Sequence, residues 1–303
     1  MLRRAILAAA DDPRVRRFVG KHGMRLGASR FVAGETLDEA IVVLRRLNDR
    51  GLWANTTILG EGVVDEGEAD AVTAEYQVVV SRLVDEGLRA NVALKLTHLG
   101  LELGEEVAYR NVERLVAHAE SLGTFLRIDM EQSAFVDATL RIYQRLRGEG
   151  HDGVGTVLQA YLYRTPEDLD VLLPLDPNLR IVKGAYLEPE TIAIPDKGDV
   201  DKAYADLVET SLAGGGYTAV ATHDERMIEH AIRYAEEHAI PRDRFEFQML
   251  YGVRPKLQLE LAGRGYKVLV ATPYGPEWYP YLMRRLGERP ANLLFFLKNL
   301  VRG

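Results

Sequence analysis

The sequence predicts a closed (β/α)8 barrel, and three observations predict it. Eight short apolar runs recur along the 303 residues, helical patterns separate each run from the next, and most runs lead straight into a polar or ionisable side chain. Run-to-run spacing is about 30 residues, the size of one strand–helix–strand unit. A doubly wound open sheet shows the same alternation, but no glycine-rich fingerprint follows the first strand, which weighs against it. In barrels of this class the chemistry gathers at the carboxyl ends of the strands, so the ends of the runs are where function is sought.

In chain order, the strands are expected at Trp53–Gly60, Asn91–Thr97, Thr124–Met130, Gly155–Leu162, Leu179–Tyr186, Tyr217–His223, Phe245–Tyr251 and Tyr266–Tyr274. Helical patterns lie near 68–87, 105–122, 135–149, 166–174, 199–213, 224–239, 254–264 and 277–302. Gly87, Gly123, Gly150, Gly214–Gly216 and Gly265 fall at their ends, where C-cap chemistry favours glycine. Before the first strand, Thr36 is a candidate N-cap with Glu39 at the capping-box position, opening a helix to about Arg50 with Leu37, Ile41, Leu44 and Leu47 on its apolar side. The chain therefore divides into an N-terminal helical arm over 1–50 and a catalytic barrel over 51–303. From Pro13 to about Gly27 the arm is strongly basic; it reads either as a solvated helix under the barrel or as a contact for an anionic membrane surface or partner. Glu188–Lys202, with Pro189 and Pro195, reads as a long loop after strand five and a candidate lid.

Composition narrows the function classes. Apolar residues make up 47%, enough for a large core. A net charge of −7 argues against a nucleic-acid surface, which needs a basic stripe. Zero cysteines exclude disulfides, thiolate nucleophiles and cysteine-ligated metals. The basic start Met1–Arg4 is followed by only six apolar residues before Asp11, short of the roughly 7–15 of a signal peptide. No run approaches the ~20 residues of a membrane span. The expectation is a soluble, cytoplasmic protein. The histidines are scattered without metal-ligand spacing, so no metal is expected, and no Gly-x-Ser-x-Gly elbow occurs.

The candidate site is read strand by strand. Lys95 lies amid apolar neighbours, where a lone ammonium is costly; it either pairs with a local carboxylate or faces the mouth and holds an anionic ligand. Asp129, on the strand face opposite Ile128, could pair with Lys95 across the interior or accept from a ligand N–H. Arg180 and Lys183 are three apart and so face opposite sides of a regular strand, which ends in the small Gly184-Ala185 pair that lets a ligand approach the backbone. Thr222 and His223 stand just before a helix N-terminus, suited to phosphate or, for His223, to capping. On the last helix Tyr281, Arg284, Arg285 and Glu288 share one sector. Two adjacent guanidinium groups can clamp a carboxylate, and the Tyr274-Gly275-Pro276 turn could bring that helix over the mouth. Cations outnumber candidate bases at the rim, which suits an anionic cofactor and a carboxylate substrate.

Taken together, these segments resemble the proline dehydrogenase family in its short monofunctional bacterial form. The motifs that carry the resemblance are Leu94–Thr97, Ile128–Glu131, Gln159–Leu162, Val182–Tyr186, Ala221–Asp224, Phe245–Gln248, Pro273–Gly275 and Tyr281–Arg285, and the likeness runs from Phe31 to Asn292. The resemblance implies a distorted barrel of the TIM type, non-covalent FAD at its mouth, and oxidation of L-proline to Δ1-pyrroline-5-carboxylate by hydride transfer to the flavin. It implies that Lys95, Arg284 and Arg285 hold the carboxylate, that Tyr186, Leu250 and Tyr281 wall the pocket, and that Asp129 and Arg180 lie beside the flavin ring as the catalytic pair. Met130, Gln159, Lys183, Gly184, Ala185, Thr222 and His223 match FAD contacts. A quinone-type electron acceptor is implied, with transient docking at the inner face of the membrane, and a partner dehydrogenase for the product.

Two positions depart from the family pattern: Ala271 stands where tyrosine is usual and Thr57 where aspartate is usual. The hydroxyproline branch has a small residue at the former position, so a dehydrogenase for a bulkier cyclic amino acid such as 4-hydroxyproline is the second reading. A catalytically silent flavin-binding module is a third.

Overall fold

The computed structural model describes residues 27–288, together with Asp12, Arg17, Val19, Gly20, Gly23 and Met24. Eight parallel strands close into a barrel in sequence order: β1 (Trp53–Ile58), β2 (Ala90–Leu94), β3 (Leu126–Ile128), β4 (Val154–Gln159), β5 (Asn178–Val182), β6 (Tyr217–Ala221), β7 (Phe245–Leu250) and β8 (Val268–Tyr274). β1 closes the ring by pairing along its whole length with β8, from Trp53 opposite Leu269 to Ile58 opposite Tyr274. Each expected run holds a strand. β3 is the shortest because its register with β4 ends at Arg127–Gly155. Beyond it the Met130 and Glu131 carbonyls accept from the Gln159 side-chain amide instead of a strand backbone.

Nine helices carry the chain round the outside: α1 (Leu37–Asp49), α2 (Glu66–Asp85), α3 (Glu105–Ser121), α4 (Val136–Gly148), α5 (Thr165–Leu172), α6 (Lys197–Ala213), α7 (Glu225–Glu237), α8 (Pro255–Gly263) and α9 (Trp278–Glu288). These are the α-helices within residues 27–288; short 3-10 turns join several of them to the strands. Thr36 caps α1 by accepting from Glu39 N, as its spacing predicts, while the Glu39 carboxylate reaches one residue further back, to Glu35 N. Asp65, Asp196 and Asp224 cap α2, α6 and α7 in the same way.

Outward positions of the strands are apolar and pack beneath the helices: Val92 and Leu94, Leu179 and Ile181, Phe245 and Phe247, Val268 and Val270 are all essentially buried. They join one continuous core that includes Leu44 and Leu47 of α1. A smaller second cluster builds the seat of α9. Val19, Phe31, Leu59, Val253, Trp278 and Leu282 pack together there. Trp278 Nε1 donates to Glu35 Oε1 at 2.7 Å, and Gly275 N donates to Gly34 O at 3.0 Å. Gly275, at φ 126°, makes the turn a side chain would strain. The last helix therefore stands beside the carboxyl ends of β7, β8 and β1, as the turn in the sequence suggests. Most of the basic segment from Pro13 to Gly27, and the end of the last helix beyond Glu288 with Asn292, lie outside the described residues.

Candidate active site

Alternation along a strand sends every second side chain into the barrel, and in this fold layers of the interior are filled from alternate strands. One such layer is polar. Arg180 of β5 donates from Nη1 to Asp129 Oδ1 at 2.7 Å, from Nη2 to Asn55 Oδ1 of β1 at 3.0 Å, and from Nε to Gln248 Oε1 of β7 at 2.5 Å. These partners come from the first, third and seventh strands or their tips, so only the barrel interior can hold them together. Arg180 is 9% exposed, Asn55 3% and Gln248 4%. A guanidinium has five N–H bonds, and three are engaged here. The Asp129–Lys95 pairing considered from sequence does not form: Asp129 binds Arg180, and Lys95 pairs with Glu61.

Beneath this layer lies a second charged set. Glu246 of β7 accepts from Tyr217 Oη at 2.9 Å and from Lys267 Nζ at 2.8 Å, and its other oxygen accepts from Gln248 Nε2. Burial raises the Glu246 pKa, but Lys267, Gln248 and Arg127 together outweigh it and leave the carboxyl below its usual range. Arg127 of β3, fully enclosed, bonds the Thr156 and Asn178 carbonyls. Burial, with Arg180 nearby, brings its pKa down to about 10.

At the rim, Lys95 follows β2 and is half-buried. Its strand end is fixed by Glu131, whose carboxylate accepts from Thr97 N at 3.1 Å and Thr97 Oγ1 at 2.7 Å. Burial of Glu131 pushes its pKa up, only partly opposed by those two bonds. Arg180 and Lys183 do face opposite ways: Lys183 leaves the interior to bind Asp201 Oδ1 and, at 3.4 Å, Asp224 Oδ2. Thr222 Oγ1 accepts from Asp224 N, and His223 Nε2 accepts from Leu250 N at 2.9 Å. Capping of α7 belongs to Asp224 rather than to His223. A 2.8 Å bond from Ser133 N to Glu188 clasps the loop after β5 to the turn after β3, and Leu162 bridges to Ala193 further along it.

Two features test whether this rim suits a flat dinucleotide cofactor. Gln159 Oε1 is buried with no hydrogen-bond partner among the described residues, although its Nε2 is engaged. A buried acceptor left unmade costs about 1–3 kcal/mol, which a ligand N–H would relieve. Gly184 holds φ 111°, and a Cβ there would lie 2.2 Å from the Tyr161 ring, so the backbone passes flush against it. With Met130 buried nearby, Lys183 and Thr222 polar at the next strand tips, and Ala185 exposed, the residues present fit such a group.

On the opposite side of the mouth, Leu250 and Tyr281 pack on the cluster that seats α9, and the Arg285 guanidinium lies 5.2 Å from the Tyr281 ring centroid. Tyr186 is half-buried in the loop after β5. The side chain of Arg284 lies outside the described residues. Ala271 of β8 is paired with Leu250 and Asn55. Asn55, Glu61 and Glu246 are not among the site residues read from sequence, and Gln248 enters there only at the end of the Phe245–Gln248 motif. The available signal was period two, which places Glu246, Gln248 and Leu250 on one face.

A closed parallel barrel with a seated arginine beneath a rim carrying cationic side chains defines a barrel enzyme that works on small molecules at its strand ends. The profile of the family described as proline dehydrogenase matches residues 40–297. Proline dehydrogenase 1 of Bacillus subtilis (strain 168) is 42% identical over 302 residues, covering all of both chains. Proline dehydrogenase of Deinococcus radiodurans is 42% identical over 311 residues, all of this chain and 99% of its own. The crystal structure of proline utilization A (PutA) from Bdellovibrio bacteriovorus, inactivated by N-propargylglycine, superposes with a TM-score of 0.82 at 26% identity. That match covers 88% of this chain, which spans about a third (33%) of the PutA chain. The chain belongs to the proline dehydrogenase family.

Proposed function

We propose that this protein is an FAD-dependent enzyme that oxidises L-proline to Δ1-pyrroline-5-carboxylate in proline catabolism. The observation that carries the reading is the Arg180 guanidinium, held from three strands below the barrel mouth, in a chain aligned end to end with proline dehydrogenases. Bound FAD supplies the acceptor for the hydride lost from the ring carbon beside nitrogen. Met130, Gln159, Lys183, Gly184, Ala185, Thr222 and His223 would hold it. Lys95, Arg284 and Arg285 bind the proline carboxylate, and Tyr186, Leu250 and Tyr281 wall the ring and exclude water. Asp129 keeps Arg180 in place, and with Asn55 and Gln248 it engages three of the five guanidinium N–H bonds. A pre-oriented cation of this kind stabilises charge that builds during transfer without reorganising.

The electrons pass on to a quinone-type acceptor. The product suits a partner dehydrogenase that oxidises it further. No nucleic acid takes part. The reading places the protein in the cytoplasm, docking transiently at the inner face of the membrane; no helix among the described residues is long and apolar enough to cross one.

Ala271 favours one second reading. Its methyl group, beside Leu250, leaves room for a substituted ring such as 4-hydroxyproline. Purified protein loaded with FAD should be yellow and bleach on adding proline, with turnover in a dye-coupled assay. Turnover of 4-hydroxyproline with proline at background supports the second reading, and Ala271→Tyr should then restore preference for the unsubstituted ring. Flavin that no cyclic amino acid bleaches would leave only a silent binding module.

A further inference from the structure

We infer that Glu246 is a positioning residue for Arg180, acting through the side-chain amide of Gln248. The inference rests on the reading that Arg180 serves the flavin site. A glutamine amide is two-faced: one end accepts, the other donates, and little besides its neighbours decides which end points where. Gln248 has the Arg180 Nε–H on one side, which needs an acceptor, and Glu246 on the other. An ionised carboxylate only accepts, so it fixes the donor end of the amide toward itself and leaves Oε1 facing Arg180.

Glu246 is itself held on its second oxygen by Tyr217 and Lys267, so it cannot turn away from the amide. It is 2% exposed and lies two residues before Gln248 on β7, further from the carboxyl end of the strand. A second amide meets Arg180 from β1, across the barrel from β5, without a carboxylate behind it. Asn55 Nδ2 donates to Asn91 Oδ1, which leaves Asn55 Oδ1 to accept from Arg180 Nη2. Arg180 is thus aimed by two amides, of which Gln248 alone is oriented by a carboxylate, and by Asp129 directly.

The test is a double-mutant cycle on the full-length, FAD-loaded protein. In Glu246→Gln, Lys267 and Tyr217 claim the new amide's oxygen and turn its NH2 toward Gln248, so two donor ends meet and Gln248 is drawn away from accepting the Arg180 Nε–H. We expect kcat for proline to fall about tenfold, the size of one hydrogen bond to a charged group, with KM within about twofold. The reduction potential of the bound flavin should fall in parallel. In Gln248→Met the acceptor is already gone, so adding Glu246→Gln should change kcat by less than about twofold. A further tenfold loss in that background, or no effect of Glu246→Gln alone, would overturn the inference.

Two NMR readouts need neither turnover nor flavin. In 15N-arginine-labelled protein as purified, the Arg180 Nε–H signal, identified by its loss in Arg180→Lys, should broaden or move in Glu246→Gln. In the unsubstituted protein, one Gln248 amide proton should exchange slowly with solvent. An unmoved arginine signal, or a Gln248 amide that exchanges like an exposed glutamine, refutes the assignment even if Glu246→Gln does not fold. A protein that failed to oxidise proline would silence only the kinetic arm, so the two failures are told apart.

Discussion

Lys95 stands half-buried at the end of β2 with Glu61 as its ion-pair partner, and a substrate carboxylate would compete with that partner for the same ammonium. Replacing Lys95 by Met should lower kcat/KM for proline by about tenfold or more, the usual size of a lost charge-assisted hydrogen bond. The loss should fall mainly on KM; steady-state kinetics at saturating acceptor measures it, and an unchanged KM would remove Lys95 from the substrate site. Residues at strand ends were legible from sequence because a charge beside an apolar run declares itself. Their partners were not. Asp129 could be set on the correct strand face but not given to Arg180 rather than Lys95, since that choice depends on how far the strands stagger around the ring. Asn55 sits in a run of threonines and offers no charge to notice, and Glu61 becomes a partner only once the β1 and β2 ends are side by side.

Among the elements, β4 makes the tightest demand. An added Cβ at Gly155 would lie 2.5 Å from the Asn178 carbonyl oxygen and 2.6 Å from Arg127 Nη1. The first of these is backbone and cannot swing away. Gly155→Ala should destabilise the fold by about 1–3 kcal/mol, as overpacked cores do, and displace Arg127 from its carbonyl partners. Urea unfolding measures the loss; a midpoint unchanged within error would mean that β4 and β5 shift apart freely. The eight strands and the helices between them were readable as periodicity, with boundaries off by a few residues. β3 was overestimated because Thr124–Met130 keeps its strand-like alternation after its backbone partner has been replaced by the Gln159 amide.

At the scale of the whole molecule, stability in acid depends on how the strand tips are charged. The Asp224 carboxyl is held down from its ordinary 3.8 to about 2, first by its bond to Arg226, with Lys183 adding to it against the cost of burial. A depressed carboxylate contributes stability that is complete above its unfolded pKa and lost as pH falls through the folded one. The loss therefore runs from about pH 4 down toward 2. Asp224→Asn keeps an N-cap for α7 but no charge, so its urea midpoint should be lower at neutral pH and decline less over that interval. A decline as steep as in the unsubstituted protein would show that other carboxyls govern the acid limb. Closure of the ring itself was an inference from eight repeats, since no short stretch of sequence distinguishes a barrel from an open sheet; the β1–β8 pairing decides it.

The arrangement around Arg180 has a consequence for how activity can arise. Sever the chain between β4 and β5 and one fragment keeps Asn55 and Asp129, while the other keeps the arginine and Gln248. Neither half carries a complete anchor, so partial assembly cannot yield partial competence. On the function proposed above, the anchor exists only once β1–β4 and β5–β8 close on each other.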